Sequence, residues 1–383
     1  MTPALRTILF GGGQWKSGAR LLRAAIQARL LSAGPHESSA MASPPTITAS
    51  STQPSGMTTE YGLLANPERF YFTQAGVLYA NTTYRRFPSS TVTITGSGGD
   101  CGSGRNGNSW RVGVSHTGSK IAFRLFGSSV RFRFIVDDRY VDFTGSLTST
   151  TSGEPRYLLL DFGSSATRMI YIEGQQGMSI MGVAVTPGDT VSAPTVAPVR
   201  LWIGGDSIVI SGPTRACDGW GSVLASKLGV EDRTTSTVGG TGWVATASGV
   251  SYKFGDRLDA DTAGLIFNAV VIHNGVNDIG QGAATIHQNA AADIQKLRML
   301  YPSAPIFVMG PVDVNAPSAP VANYAATRDA ISQACISANG VFFIDRTGVS
   351  YTKTDGTHPD SAGAVTLAES DRTAILAVLN TLS

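Results

Sequence analysis

Asp355 and His358, in the segment Asp355-Gly356-Thr357-His358-Pro359, put a carboxylate three residues ahead of an imidazole, the pairing that general acid–base chemistry needs. On a loop that spacing lets both side chains fold toward one point. An imidazole held by a carboxylate can take a hydroxyl proton, and a serine hydroxyl, a poor nucleophile near neutral pH, requires such a base. The serine candidate is Ser207 in Gly205-Asp206-Ser207, directly after the apolar run Val199 to Ile203. Two more motifs fit the same chemistry. In Gly239-Gly240-Thr241-Gly242 the glycines let a backbone N–H approach a ligand closely. In Gly275-Val276-Asn277-Asp278, Asn277 offers an amide N–H to a developing oxyanion and Asp278 is the polar brace of the loop. Taken singly, Gly205-Asp206-Ser207 and the glycine run are more often turns than sites; only the set of four points to this chemistry.

The elements that must position these motifs are legible as an alternation. Val199 to Ile203, a run before Gly239, Ala269 to Ile272, Ile306 to Met309 and Val341 to Ile344 read as short buried strands. Helical spacing links them: Trp220, Val223, Leu224 and Leu228; then Ala284 to Leu300; then Pro320 to Ala338, with its proline in the first turn. A last helix starts near Ser361 and packs Val365, Leu367, Ile375, Leu376 and Leu379. Strands alternating with helices predict a parallel sheet covered on both faces, with working residues at the carboxyl ends of the strands.

In this order and over Val199 to Ser383, the motifs resemble the blocks of the SGNH (GDSL-like) hydrolases. The resemblance implies a three-layer α/β/α, flavodoxin-like domain and a serine-hydrolase mechanism without cofactor or metal. Carried over by position, Ser207 is the nucleophile, His358 the base and later the acid, and Asp355 the residue that orients His358. The oxyanion hole would come from the backbone N–H groups of Ser207 and Gly240 and the side chain of Asn277, with Asp206 and Asp278 in support. The GxSxG elbow of α/β-hydrolases is absent, because Ile208 and Val209 follow Ser207.

Upstream the grammar is different. Runs with period-two alternation, such as Val130 to Val136, Ile121 to Phe126, Tyr157 to Phe162, Met169 to Ile172 and Ile180 to Val185, predict an all-β sandwich or jelly-roll domain over residues 58–186. Pro187 to Pro198 reads as a linker before the domain 199–383. Residues 1–57 read as a mobile basic tail and Ser/Thr/Pro linker, with a short docking helix as the alternative for Leu21 to Leu31, where Leu22, Ile26 and Leu30 share one side. A sandwich ahead of this hydrolase domain also resembles two-domain carbohydrate esterases that remove acetyl groups from polysaccharides. Proteins of this build occur among secreted and phage tail-associated proteins, which implies an extracellular or virion setting and attachment to a larger assembly through the N-terminal segment.

Composition narrows the partners. Of 383 residues, 15% are charged and the net charge is +2, so no nucleic-acid footprint is written into the chain. No apolar run of about 18 residues occurs, which excludes an ordinary membrane-spanning helix. Cys101, Cys217 and Cys335 are odd in number and widely spaced, indicating neither a disulfide framework nor a zinc site. The bland reading comes first for other residues: His273 as a core or loop histidine, His287 as surface, Asp256, Arg257 and Asp259 as a solvated helix start, Trp220 as core. Trp243, beside the glycine loop, is a candidate to line the acyl or sugar pocket. The function expected is hydrolysis of small acyl esters, O-acetyl groups on carbohydrate foremost. The alternatives are a lipid or thioester hydrolase, or a non-enzymatic glycan-binding structural protein.

Overall fold

The structure is a computed structural model that describes residues 15–31, 41–62, 84–86, 92–94, 110–127, 131–141, 147–148, 155–174, 178–192, 199–209, 219–230, 232–247, 252–262, 267–316, 318 and 320–382. Cys101 and Cys217 lie outside them.

The second half is a mixed α/β unit built on five parallel strands: β1 (Arg200–Gly205), β2 (Asp232–Thr237), β3 (Ala269–His273), β4 (Ile306–Met309) and β5 (Val341–Ile344). Their order is β2-β1-β3-β4-β5. All residues of β3 and β4 are buried, as expected of strands covered on both faces. Successive side chains point to opposite faces, and two cores result. Leu201, Ile203, Val271, Phe307 and Met309 meet helices α2 (Trp220–Lys227) and α6 (Ser361–Thr381). Trp202, Val270, Ile272, Ile306 and Val308 meet α4 (Ala283–Leu300) and α5 (Tyr324–Ile336). The short helix α3 (Leu258–Thr262) adds Leu258 to the second core.

β4 and β5 have the expected bounds, whereas β1 runs two residues further, to Gly205. Helix α5 begins at Tyr324, so Pro320 is not in its first turn. Asn323 adopts φ 65°, outside the helical region, and stops the helix from extending upstream.

The N-terminal segment corrects the mobile-tail expectation. Trp15–Leu31 is a helix, α1, with Ala19, Leu22, Ala25 and Ile26 buried in the first core, while Lys16 and Arg20 face solvent. Trp15 packs edge-on against Phe342 with ring centroids 5.6 Å apart and lies over Gly340, whose φ of +70° and missing Cβ leave room for the ring. A Cβ on Gly18 would lie 2.2 Å from the Asn268 carbonyl oxygen and 2.5 Å from that of Ser303. Those residues precede β3 and β4, so α1 crosses the amino ends of the sheet, the edge opposite the motifs. Its described apolar residues pack on this core.

Every pairing among the described strands between residues 46 and 192 is antiparallel. The longest are Trp110–Gly127 and Pro155–Gly174. Two expected linkers contain strands: Thr46–Ser50 pairs with Tyr157 to Asp161, and Thr190–Ser192 pairs with Ser115 to Thr117. Their side chains have little to bury, yet ladder hydrogen bonds come from the backbone, which hydrophobic patterning does not register. Arg133, placed by alternation on the polar face, is buried, with its guanidinium 4.2 Å from the Tyr140 ring centroid.

Candidate active site

All four motifs lie at the carboxyl ends of strands or in the loop before α6. Gly205 ends β1, and Ser207–Val209 form a single 3₁₀ turn. Asp206 caps that turn, its Oδ1 accepting the Ile208 N–H at 2.9 Å. Ser207 Oγ lies 2.8 Å from His358 Nε2, and His358 Nδ1 lies 2.6 Å from Asp355 Oδ2. With the Nδ1 proton facing the carboxylate, Nε2 is the acceptor for the serine hydroxyl.

The acid–base pair sits on a tight loop. Asp355 Oδ1 accepts the main-chain N–H of His358 at 2.9 Å and of Thr357 at 3.1 Å. Those backbone bonds, and the bond to the His358 ring, hold the Asp355 carboxyl at about 2, below the ordinary range. Thr354 N–H donates to the His358 carbonyl at 2.9 Å, and the Tyr351 hydroxyl donates to the Thr357 carbonyl at 2.7 Å. Asp360 then caps α6 through the Gly363 N–H at 2.7 Å.

The glycine loop is tied down from several sides. Gly240 has φ +76°, a conformation that favours glycine. Asn277 Nδ2 donates one hydrogen to the Thr241 carbonyl at 2.9 Å and carries a second. The buried Asp278 carboxylate accepts the N–H groups of Trp243, Val244 and Ala245 at 2.8, 2.9 and 2.8 Å. Burial raises its pKa, and those three bonds oppose the rise. Gly242 permits this contact, since a Cβ there would lie 2.4 Å from the carboxylate oxygens.

Two expectations need correction. Trp243 is fully buried, edge-on to Phe254 at 5.2 Å and in the same core as Trp202, so it belongs to the packing beneath the loop and not to a pocket wall. Arg257 is not solvated: it is buried, paired with Asp261, and donates to the carbonyls of Gly205 at 2.6 Å and Ser236 at 3.1 Å. It therefore bridges β1 and β2 below their motifs. Sequence reading passed it over because a mixed charge cluster is usually a solvated surface. His273 is buried, as expected, and its Nδ1 lies 3.1 Å from Asp206 Oδ1. The signal for that pairing was register, since His273 stands opposite Gly205. His287 is exposed.

No group of three or more His, Cys, Asp or Glu residues suited to a metal occurs among the described residues. Cys335 is buried, which pushes its thiol up to about 12 and removes it from nucleophilic chemistry. No helix among the described residues is long and apolar enough to cross a membrane.

Residues 204–365 match the family model of GDSL-like lipases and acylhydrolases. No curated protein matches the sequence. Among solved structures, a family two carbohydrate esterase from Cellvibrio japonicus aligns with a TM-score of 0.62 at 13% identity, covering 88% of this chain and 99% of the other. One from Clostridium thermocellum, solved with cellohexaose, aligns with a TM-score of 0.58 at 15% identity over 79% and 99%. An acetyl xylan esterase from the rumen bacterium Butyrivibrio proteoclasticus aligns with a TM-score of 0.54 at 14% identity over 89% and 98%. At such identities the likeness is one of fold.

Proposed function

Starting from a chain that carries a GDSL-like acylhydrolase domain over residues 204–365, and is thus an ester-hydrolysing enzyme of the SGNH type, we propose that it works through a serine acyl-enzyme and removes small acyl groups, acetyl on carbohydrate foremost. The observation that carries the mechanism is the hydrogen-bond chain Ser207 Oγ to His358 Nε2 and His358 Nδ1 to Asp355, at 2.8 and 2.6 Å.

In this mechanism Ser207 Oγ attacks the ester carbonyl carbon while its proton passes to His358 Nε2. The carbonyl oxygen takes the negative charge and is met by the Ser207 and Gly240 N–H groups and by Asn277 Nδ2. The alcohol departs with the proton from Nε2. Water then attacks the acyl carbon, gives its proton to Nε2, and the acid leaves as Ser207 regains its hydroxyl hydrogen. Asp355 stays ionised throughout and balances the imidazolium.

Two facts favour a small acyl group on a sugar. The large hydrophobic residues exposed among the described ones, Met299, Leu300, Ile336 and Val365, all lie on helices α4, α5 and α6, and none lies on the described parts of the motif loops. The carbohydrate esterases named above share the fold over most of their length. We also assign the antiparallel strands between residues 46 and 192 to a sandwich domain preceding the hydrolase domain.

The test is turnover of p-nitrophenyl acetate and of acetylated oligosaccharides. Ser207→Ala and His358→Ala should each lower kcat by about 10⁴-fold or more with the fold retained by circular dichroism. Activity surviving in both removes the mechanism. Long-chain esters or thioesters outcompeting acetyl would overturn the substrate assignment alone.

A further inference from the structure

We infer that His273 is a positioning residue of the reaction: held in the central strand, it sets the Ser207 turn against the Asn277 loop. The inference rests on the reading of Ser207 as nucleophile.

The turn that carries Ser207 docks on His273 in three ways. The Asp206 N–H donates to the His273 carbonyl at 3.2 Å. Gly205 lies so close that a Cβ there would sit 2.1 Å from that carbonyl oxygen. The Asp206 carboxylate, wholly buried, meets His273 Nδ1 at 3.1 Å through the same Oδ1 that caps the Ile208 N–H. A buried carboxylate is costly unless hydrogen-bonded, so its rotamer follows its donors. One donor is in the turn itself; the imidazole is the donor from the neighbouring strand. Two residues beyond His273 the chain turns at Gly275, with φ +121°, into the segment that bears Asn277. A single residue thus joins the end of β1, with Ser207, to the loop with Asn277.

The imidazole is itself held. Its ring packs on Trp220 at 5.6 Å. Trp220 Nε1 donates to Asp371 at 2.7 Å, and the Arg346 guanidinium lies 4.5 Å over the Trp220 ring while its Nε and Nη2 bind the same carboxylate at 3.0 and 2.6 Å. Asp206, His273, Trp220, Arg346 and Asp371 are all buried. Asp371 stands on α6, which begins three residues after His358. The network therefore ties the nucleophile turn to the helix that leads away from the base.

His273→Phe keeps an aromatic ring but removes the donor, and His273→Asn keeps an N–H close to the Nδ1 position. A misplacement of about an ångström at a reacting centre costs on the order of 10²-fold. With p-nitrophenyl acetate, His273→Phe should lower kcat by about 10- to 100-fold at nearly constant KM, and slow fluorophosphonate labelling of Ser207 in parallel. His273→Asn should restore both to within a few-fold. Melting temperature and active-site titration accompany each variant, so that values refer to folded protein. Unchanged kcat and labelling per folded His273→Phe molecule overturn the inference, as does His273→Asn losing as much as His273→Phe. If the unaltered protein is not labelled at Ser207 and Ser207→Ala stays active, it is the nucleophile reading that fails.

Discussion

The Asp355 carboxylate meets His358 twice, with Oδ2 2.6 Å from the ring Nδ1 and Oδ1 accepting the histidine's own main-chain N–H at 2.9 Å. The second bond orients the backbone that carries the ring, so aligning the imidazole and fixing its loop are one interaction. It is also the largest reason that the Asp355 carboxyl is held at about 2. A depressed carboxylate pKa contributes stability that is present above the unfolded value and is lost as pH falls through the folded one. Asp355 is thus ionised across the working range. The pH profile of kcat/KM should carry no Asp355 inflection near the ordinary value of about 4. An inflection there that disappears in Asp355→Asn would contradict this.

Asn277 has one amide hydrogen on the Thr241 carbonyl at 2.9 Å and, in the proposed mechanism, the other on the oxyanion. Asn277→Ala should lower kcat by about 10²- to 10³-fold with a much smaller change in KM, the signature of a transition-state contact. A rise in KM with kcat unchanged would assign Asn277 to ground-state binding.

Asp293, buried on α4 against Gly255, is pushed up to about 7, with desolvation the principal cause and Lys253 and Lys296 opposing it. A raised carboxyl pKa means that the native state keeps a proton the unfolded chain has released, so stability falls as pH rises between about 4 and 7. Asp293→Asn should therefore raise the melting temperature at pH 8 and lose that advantage below about pH 4. A variant equally stabilised, or destabilised, at both pH values would place the cause elsewhere.

Leu22 and Ile26 of α1 are wholly buried against the parallel sheet. Leu22→Ala and Ile26→Ala should each cost about 2–5 kcal/mol in chemical denaturation, as for core positions. A free tail would cost nothing, and a change below about 0.5 kcal/mol would restore that reading.

What was legible in the sequence followed from local rules. β4 and β5 have the expected bounds because runs such as Ile306 to Met309, apolar on both faces and ended by a glycine or a charge, admit few alternatives. Helix α1 was less legible. Ala19 and Ala25 are small enough to pass for neutral positions, and only a sheet edge of matching shape turns Gly18 and Ala19 into contacts. Arg257 and Trp243 were misread for a related reason: whether a guanidinium is solvated, or a tryptophan lines a cleft, depends on what a distant segment lays over it.

By itself the sequence determined the alternation of strands and helices, the four motifs at their ends, and the local geometry by which Asp355 grips His358, since three-residue spacing is settled by the chain's own bonds. Only the tertiary structure decided that Ser207 Oγ stands 2.8 Å from His358 Nε2 across a separation of 151 residues, that His273 anchors the serine turn, and that α1 closes the far edge of the sheet. Such contacts are made by register and packing between strands remote in sequence, and those are settled by the burial of the whole core rather than by any one segment.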